Sequence, residues 1–539
     1  MPDVWSVAAA LIAAVVLVPI VAVFWLAIFP TENIWPHLWA TTLPRYLSNT
    51  LMLMAGTGLL AAVVGTGTAW LVAMHDFPGR RWIASALLLP LAIPAYVGAY
   101  ALVDFLEYAG PVQTGLRAAF GWASSRDYWF PDIRSLPAAI IVIGMSLYPY
   151  VYLLARAAFS EQSGAGFEVA RALGSGPVQR FLRVGLPLAR PAIAAGVAVV
   201  MMEAVNDFGV VDFFGVQTLT TGIFSVWLSG GNAGGAAQIA CVVLVLVAGL
   251  VAIERASRRR RRFWQAARSQ RPVTRMPLSG WRAVTAALAC LLPVALGFVF
   301  PVTVMGWHAI VAADGWLAPG LFRAVLNTLG VAGAAALITV GLALVMVYGV
   351  RMAGRRLPQL LLPLTTVGYA APGAVLGLGV LIPLAAFDNS LADGILALTG
   401  WDPGLIMTGS AGALILAYTV RFFALGQGAV DAALGRIPPS LPLAARSLGK
   451  GPGAVLRAVH MPLMRSSIAM AVLLVFVDAM KELPATLLLR PFGFDTLATR
   501  VHDQASLERL SQAAPAALMI TAVGLVAVLL LARAEGARR

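Results

Sequence analysis

The sequence predicts an all-α integral membrane protein with about twelve transmembrane helices, arranged as two parallel six-helix repeats. Three observations lead to this reading. Of 539 residues, 60% are hydrophobic and 12% charged, whereas a soluble domain carries roughly 25% charged residues. The apolar residues gather into stretches of about 20, the length a helix needs to cross a bilayer. Finally, a 26-residue segment of the first half returns in the second half without a gap.

The candidate spans are 5–29, 50–74, 82–106, 136–158, 191–208, 235–253, 283–307, 325–349, 358–385, 409–430, 467–484 and 513–533. The first is longer than the apolar core of a signal peptide. Only Asp3 precedes it, where a signal peptide carries basic residues. It is therefore expected to be a retained span. The net charge is +14, but the basic residues sit in short loops rather than on one soluble face, so nucleic acid is not an expected partner. On the side shared by both termini lie 28 Lys and Arg residues, against eight on the other. The positive-inside rule places both termini in the cytoplasm. Cys241 and Cys290 lie within apolar spans; they offer no disulfide framework and read as small buried apolar residues.

The basic segment Glu254–Arg275 reads as a linker beside anionic lipid headgroups. The expected division is a first repeat at 1–253, a linker at 254–282 and a second repeat at 283–539. Glu168–Ile193 (EVARALGSGPVQRFLRVGLPLARPAI) aligns with Leu443–Ile468 (LAARSLGKGPGAVLRAVHMPLMRSSI) at a shift of 275, with eleven of 26 positions identical. Leu47–Leu51 (LSNTL) is echoed by Val325–Leu329 (VLNTL), and Thr218–Phe224 (TLTTGIF) by Thr496–His502 (TLATRVH). Gly-Arg-Arg recurs at 79–81 and 354–356. The shared loop falls between the fourth and fifth spans of each repeat, on the same side. The repeats are therefore parallel.

That loop has an ordered pattern. A short helix over Glu168–Leu173 is expected to end at Gly174, which tolerates the left-handed conformation. Pro177 suits the first turn of a following helix. Leu186-Pro187 and Pro191 turn the chain back toward the bilayer. The result is a helix–turn–helix elbow, present twice, able to dock two copies of one partner; the plainer alternative is an amphipathic connector.

The elbow resembles the E-A-A…G…L-P signature of permease subunits in binding-protein-dependent ABC importers. It stands as Glu168-Val169-Ala170…Gly174…Leu186-Pro187, and again as Ala444-Ala445…Gly449…Met461-Pro462. The resemblance covers essentially the whole chain, read as two fused permease domains. It implies a multi-pass protein of the bacterial inner membrane, two copies of an ABC ATPase subunit gripping the elbows, and a periplasmic substrate-binding protein on the outer side. ATP and magnesium belong to that ATPase, and no cofactor is expected on this chain. The second copy departs from the signature: Leu443 replaces the glutamate and Met461 the leucine. Either the two docking sites are unequal or the glutamate is dispensable. The fused layout, together with Met480–Arg500 (MKELPATLLLRPFGFDTLATR) and Asn206–Phe224 (NDFGVVDFFGVQTLTTGIF), resembles the ferric-iron permeases of this class. Thiamine, polyamine and phosphonate importers have related permeases.

The fifth span of each repeat ends in charged residues. At the 275 shift, Glu203 aligns with Asp478, Asn206 with Lys481 and Asp207 with Glu482. On a helix, three- and four-residue spacing puts each set on one face. A charge at the bilayer centre costs about 2.5–3.5 kcal/mol on insertion scales, so such residues need a reason. One reading is that both faces line a translocation path, where carboxylates attract a hard cation and Lys481 prevents tight binding. The other is that Lys481 pairs with a neighbouring acid and locks helix packing. Pro484 then ends the helix, and the following segment forms a re-entrant or loop structure.

Arg421, inside the tenth span, is expected to pair or snorkel. Asp104 and Glu107 lie near the outer end of the third span and are expected to be solvated. His37, His75, His308, His460 and His502 lack ligand spacing, so no dedicated metal site is expected and a metal ligand set is unknown. No G-x-x-x-x-G-K-[ST] occurs, and Ser447–Gly453 (SLGKGPG) lacks its spacing. The chain is therefore expected to be a transport subunit without an ATPase site. A secondary transporter also has two six-span halves and intramembrane acids, but it has no use for a repeated partner-docking elbow.

Overall fold

Helices make up most of the computed structural model, which describes residues 4–162, 164–259, 275–353, 361–365 and 371–536. The basic run 260–274, the second Gly-Arg-Arg (354–356) and parts of the expected ninth span (358–360 and 366–370) lie outside the described residues.

Among the described residues, eleven helices are long and apolar enough to cross a membrane. A helix satisfies its own backbone hydrogen bonds, which hydrocarbon cannot do for it. Leu59, Val63, Val245, Leu288 and Leu337 lie on the exposed surface of these helices, an arrangement that suits acyl chains better than water. The stretch expected as a single span at 82–106 is broken. Arg80–Ala92 and Ala95–Phe120 meet at 88° and count as a twelfth span only together. Proline is the cause. Pro94 caps the second helix, and Ile93 before it is extended at φ −107°, ψ 133°. A residue preceding proline is pushed out of the helical region.

The fifth-span helices are longer than the apolar runs that predict them. They extend over Pro177–Asn206 and Pro452–Met480, so each begins inside its elbow. Both contain a π-helical turn at equivalent places, Phe181–Gly185 and Leu456–His460.

Packing sorts the chain into two compact units that differ from the two sequence halves. One gathers Met1–Leu38, Gly222–Leu244 and Ala318–Arg500, and the other gathers Trp39–Thr221, Val245–Leu317 and Val501–Arg539. In the Ala318–Arg500 unit, helix Val4–Ile28 packs on Leu321–Ala353 and Gly373–Thr399. Trp5 meets Tyr348 edge-on there, with ring centres 5.2 Å apart. In the Trp39–Thr221 unit, helix Leu43–Met74 packs along Leu136–Ser160, and Phe300–Val311 along Leu510–Gly536. Its core holds Tyr148, Tyr152 and Phe159, all fully buried. The Tyr152 hydroxyl donates to the Ala84 carbonyl at 2.9 Å, since a buried hydroxyl needs a partner. A two-residue parallel bridge joins His75–Asp76 to Met276–Pro277 in this same unit.

Candidate functional site

The two elbows share one backbone design. In the Trp39–Thr221 unit, helix Gly164–Ala172 carries Glu168 and Ala170. Gly174 follows with φ +80°. Its N–H donates to the Arg171 carbonyl, and the Ser175 N–H to that of Ala170, both at 3.0 Å. These two bonds form a Schellman cap. Pro177 then opens the membrane-directed helix, which runs on through Leu186 and Pro187 after a π-helical turn, so that pair does not turn the chain. In the Ala318–Arg500 unit, helix Ser440–Ser447 carries Ala444 and Ala445. Gly449 also has φ +80°. Its N–H donates to Arg446 at 2.9 Å, and that of Lys450 to Ala445 at 3.1 Å. Met461 and Pro462 begin the helix that follows. The second elbow forms with Leu443 in place of the glutamate, so the glutamate is not what shapes the turn. Each elbow presents a leucine at its tip, Leu173 or Leu448, that is 80% exposed.

The fifth-span ends differ from one another. In the Ala318–Arg500 unit, Lys481 Nζ pairs with Asp478 Oδ1 at 3.3 Å, as three-residue spacing predicts. Glu482, however, is not carried on that face, because the helix stops at Met480 ahead of Pro484. Its carboxylate instead pairs with Arg421 Nε at 3.0 Å, with both side chains nearly buried. It also accepts the Ala485 N–H at 3.1 Å, capping the short helix Pro484–Leu489. Gly373 lies against this pair: a Cβ there would overlap Glu482 Oε1 and approach Arg421 Nη1 at 2.6 Å. Arg421 Nη1 is buried without a hydrogen-bond partner among the described residues.

In the Trp39–Thr221 unit, Asp207 plays the equivalent capping part. Its Oδ1 accepts the Val210 N–H at 2.9 Å, at the start of helix Gly209–Phe213. Glu203 and Asn206 lie on the preceding helix. Asn206 is 6% exposed, and its Oδ1 has no hydrogen-bond partner among the described residues.

Each unit also has a hydrogen-bonded clasp that joins two of the sequence echoes. Asn49 Nδ2 donates to the Gln217 carbonyl at 2.8 Å, and the Leu219 N–H donates to Thr50 Oγ1 at 3.0 Å. In the other unit, Asn327 Nδ2 donates to the Asp495 carbonyl at 2.9 Å, and the Leu497 N–H to Thr328 Oγ1 at 2.8 Å. The segment after each short capped helix is thereby tied to the second span of its own repeat.

Sequence reasoning missed a chain of polar groups in the Trp39–Thr221 unit that runs from buried Tyr100 and His502 to the exposed Asp212. The Tyr100 hydroxyl lies 3.0 Å from His502 Nδ1, and His502 Nε2 lies 3.9 Å from Asp212 Oδ2. Burial pushes the Asp212 carboxyl above its ordinary range, while the charge of His502 opposes that shift. These residues are more than 100 positions apart, so no local motif announces them. Asp104 and Glu107 are paired rather than merely solvated: Asp104 meets His308 at 2.8 Å and Glu107 meets Arg134 at 2.8 Å. Among the described residues, no three His, Cys, Asp or Glu side chains stand close enough to hold a metal ion.

Comparison with known proteins agrees with this geometry. Residues 58–263 match the model of the binding-protein-dependent transport system inner membrane component family. The chain is 26% identical over 507 residues to the Fe(3+)-transport system permease protein FbpB 2 of Haemophilus influenzae, covering 92% of this chain and 90% of that one. It is 23% identical to the putative ferric transport system permease protein FbpB 1 of the same organism, covering 88% and 74%. It is also 30% identical over 151 residues to the probable sulfate transport system permease protein cysT of Nephroselmis olivacea, covering 28% of this chain and 50% of that one. With a matched domain in its first half, paired elbows of one design, and a similarity that runs along nearly its whole length, this chain resembles the two-repeat permeases of binding-protein-dependent ABC importers.

Proposed function

We propose that this chain imports ferric iron, released to it by a periplasmic binding protein and driven by two copies of an ABC ATPase seated on the elbows. The observation that carries the substrate is the extent of the similarity: 92% of the chain aligns with a relative named as an Fe(3+)-transport permease. The Asp207 carboxylate, bonded to a backbone N–H at the fifth-span end of the first repeat, suits a hard cation, for which oxygen ligands are preferred. The elbows face the cytoplasm together with both termini, in the bacterial inner membrane. The ATPase holds the ATP and magnesium, and this chain holds no cofactor. Leu173 and Leu448 offer each ATPase copy an apolar contact. The basic linker rests against anionic lipid. ATP-driven movement at Glu168–Gly174 and Ala444–Gly449 passes along the membrane helices Pro177–Asn206 and Pro452–Met480, which contain Leu186-Pro187 and Met461-Pro462.

A second reading is oxyanion import, favoured by the 30% identity to a sulfate permease over 151 residues. Carboxylates would repel such a substrate, so the two readings differ in the sign of the charge transported. The test is uptake of radiolabelled ferric iron in cells lacking this chain and cells with it restored, with and without ATP depletion. Loss on deletion, rescue on restoration and dependence on ATP support ferric import. Unchanged iron uptake, with other iron importers removed, overturns it. Molybdate or sulfate uptake that follows the chain instead establishes the second reading.

A further inference from the structure

The two fifth-span ends occupy equivalent places in the repeat but carry different chemistry. In the Ala318–Arg500 unit, each acid has a cation at hand: Lys481 for Asp478 and Arg421 for Glu482. The second pair is nearly buried, and Gly373 leaves no room for even a methyl group beside it. At the 275 shift, the first repeat has Asn206 where the second has Lys481, and Ser146 where it has Arg421. Both cations are thus replaced by neutral residues. Asp207 has no ion pair among the described residues and is bonded instead to the Val210 N–H. Beside it, Asn206 keeps a buried carbonyl oxygen without a hydrogen-bond partner among the described residues. A buried acceptor of this kind is costly unless something fills it. Phe208, next to Asp207, sets its ring 5.9 Å from that of His502, whose Nδ1 lies 3.0 Å from the Tyr100 hydroxyl. Carboxylate, amide, phenol and imidazole groups therefore share one unit.

We propose that the transported cation is met by the Trp39–Thr221 unit, at Asn206, Asp207 and the Tyr100–His502–Asp212 chain, and that Arg421 and Lys481 have converted the equivalent acids of the other unit into a structural strut. The inference rests on the ferric reading above. The donors do not form a ready-made chelate, since no three metal-binding side chains converge tightly among the described residues. That is the expected condition for a path, because a site that binds too well does not release its ion.

The test measures radiolabelled ferric uptake per molecule of membrane-inserted protein. Asp207→Asn keeps the shape of the side chain and its capping oxygen, and it is expected to lower uptake at least about tenfold, equivalent to 1.4 kcal/mol. Ser146→Arg places in the first repeat the cation that the second already has, and it is expected to lower uptake likewise. The double variant Arg421→Met/Glu482→Gln removes the strut as a pair, and its loss per molecule is expected to be much smaller than that of Asp207→Asn. If Ser146→Arg fails to accumulate, Asp207→Asn against the double variant still decides the matter. Wild-type uptake in Asp207→Asn, or an equal loss in the double variant, overturns the inference and leaves ferric import standing. Absence of iron uptake in the wild-type chain overturns the ferric reading and this inference with it.

Discussion

Thr50 and Thr328 each use a single hydroxyl twice. Thr50 donates to the Tyr46 carbonyl at 2.7 Å and accepts the Leu219 N–H at 3.0 Å. Thr328 donates to Ala324 at 2.7 Å and accepts from Leu497 at 2.8 Å. Both threonines are almost fully buried. Valine has the same shape but no acceptor, so it leaves a buried N–H unpaired at a cost of about 1–3 kcal/mol. Thr328→Val is expected to lower the thermal stability of the purified protein and speed hydrogen exchange at 495–500, while Thr328→Ser preserves both. Equal stability in the valine variant would discount the clasp. The echoes at 47–51 and 218–224 are visible in the sequence, but their partnership is not, because 169 positions separate donor from acceptor. The pairing of Glu482 was hidden for a related reason. Helical spacing assigns it to the face of Asp478, but the helix stops two residues earlier and the side chain reaches Arg421 instead.

At the scale of the element, the elbows follow from local chemistry. A residue other than glycine in the left-handed conformation costs roughly 1–2 kcal/mol, and both Gly174 and Gly449 lie there at φ +80°. Among the described residues, a Cβ at either position meets nothing within 4 Å, so the constraint there is backbone conformation and not space. Gly449→Ala is accordingly expected to weaken the turn by about that amount without a clash. Gly174→Pro and Gly449→Pro demand φ near −65° and should uncouple transport while leaving membrane insertion intact. Normal uptake in both proline variants would remove the elbows from the coupling scheme. The broken third span was also within reach of the sequence, since Pro90 and Pro94 lie inside the apolar run. Hydropathy alone reads that run as one segment because it does not register the constraint a proline puts on the residue before it.

At the scale of the whole molecule, internal repetition and packing divide the chain differently. The repeats are halves of the sequence, whereas each compact unit borrows segments from the other half. Helix Val4–Ile28 belongs with Ala318–Arg500, and Trp281–Val311 with Trp39–Thr221. A fragment of residues 39–253 alone would therefore lack helices that its unit packs against, and it is expected not to accumulate; stable insertion of that fragment would contradict the packing. The orientation rests on charge. A cytoplasm-active reporter fused after Arg539 is expected to be active and a periplasm-active one silent, and the reverse result would invert the topology.

The membrane class, the approximate number of spans, the duplication and the elbows were all written in local patterns. Apolar length, a 275-residue echo, and glycine and proline at fixed offsets are consequences of short-range sterics and solvation, which act on neighbours along the chain. Which acid is neutralised, which threonine holds which loop, and which span packs with which unit were decided only by folding. Arg421 finds Glu482 across 61 positions and Tyr100 finds His502 across 402. Such partners are chosen by the need to satisfy buried charges and hydrogen bonds in three dimensions, and no spacing rule along the sequence encodes that need.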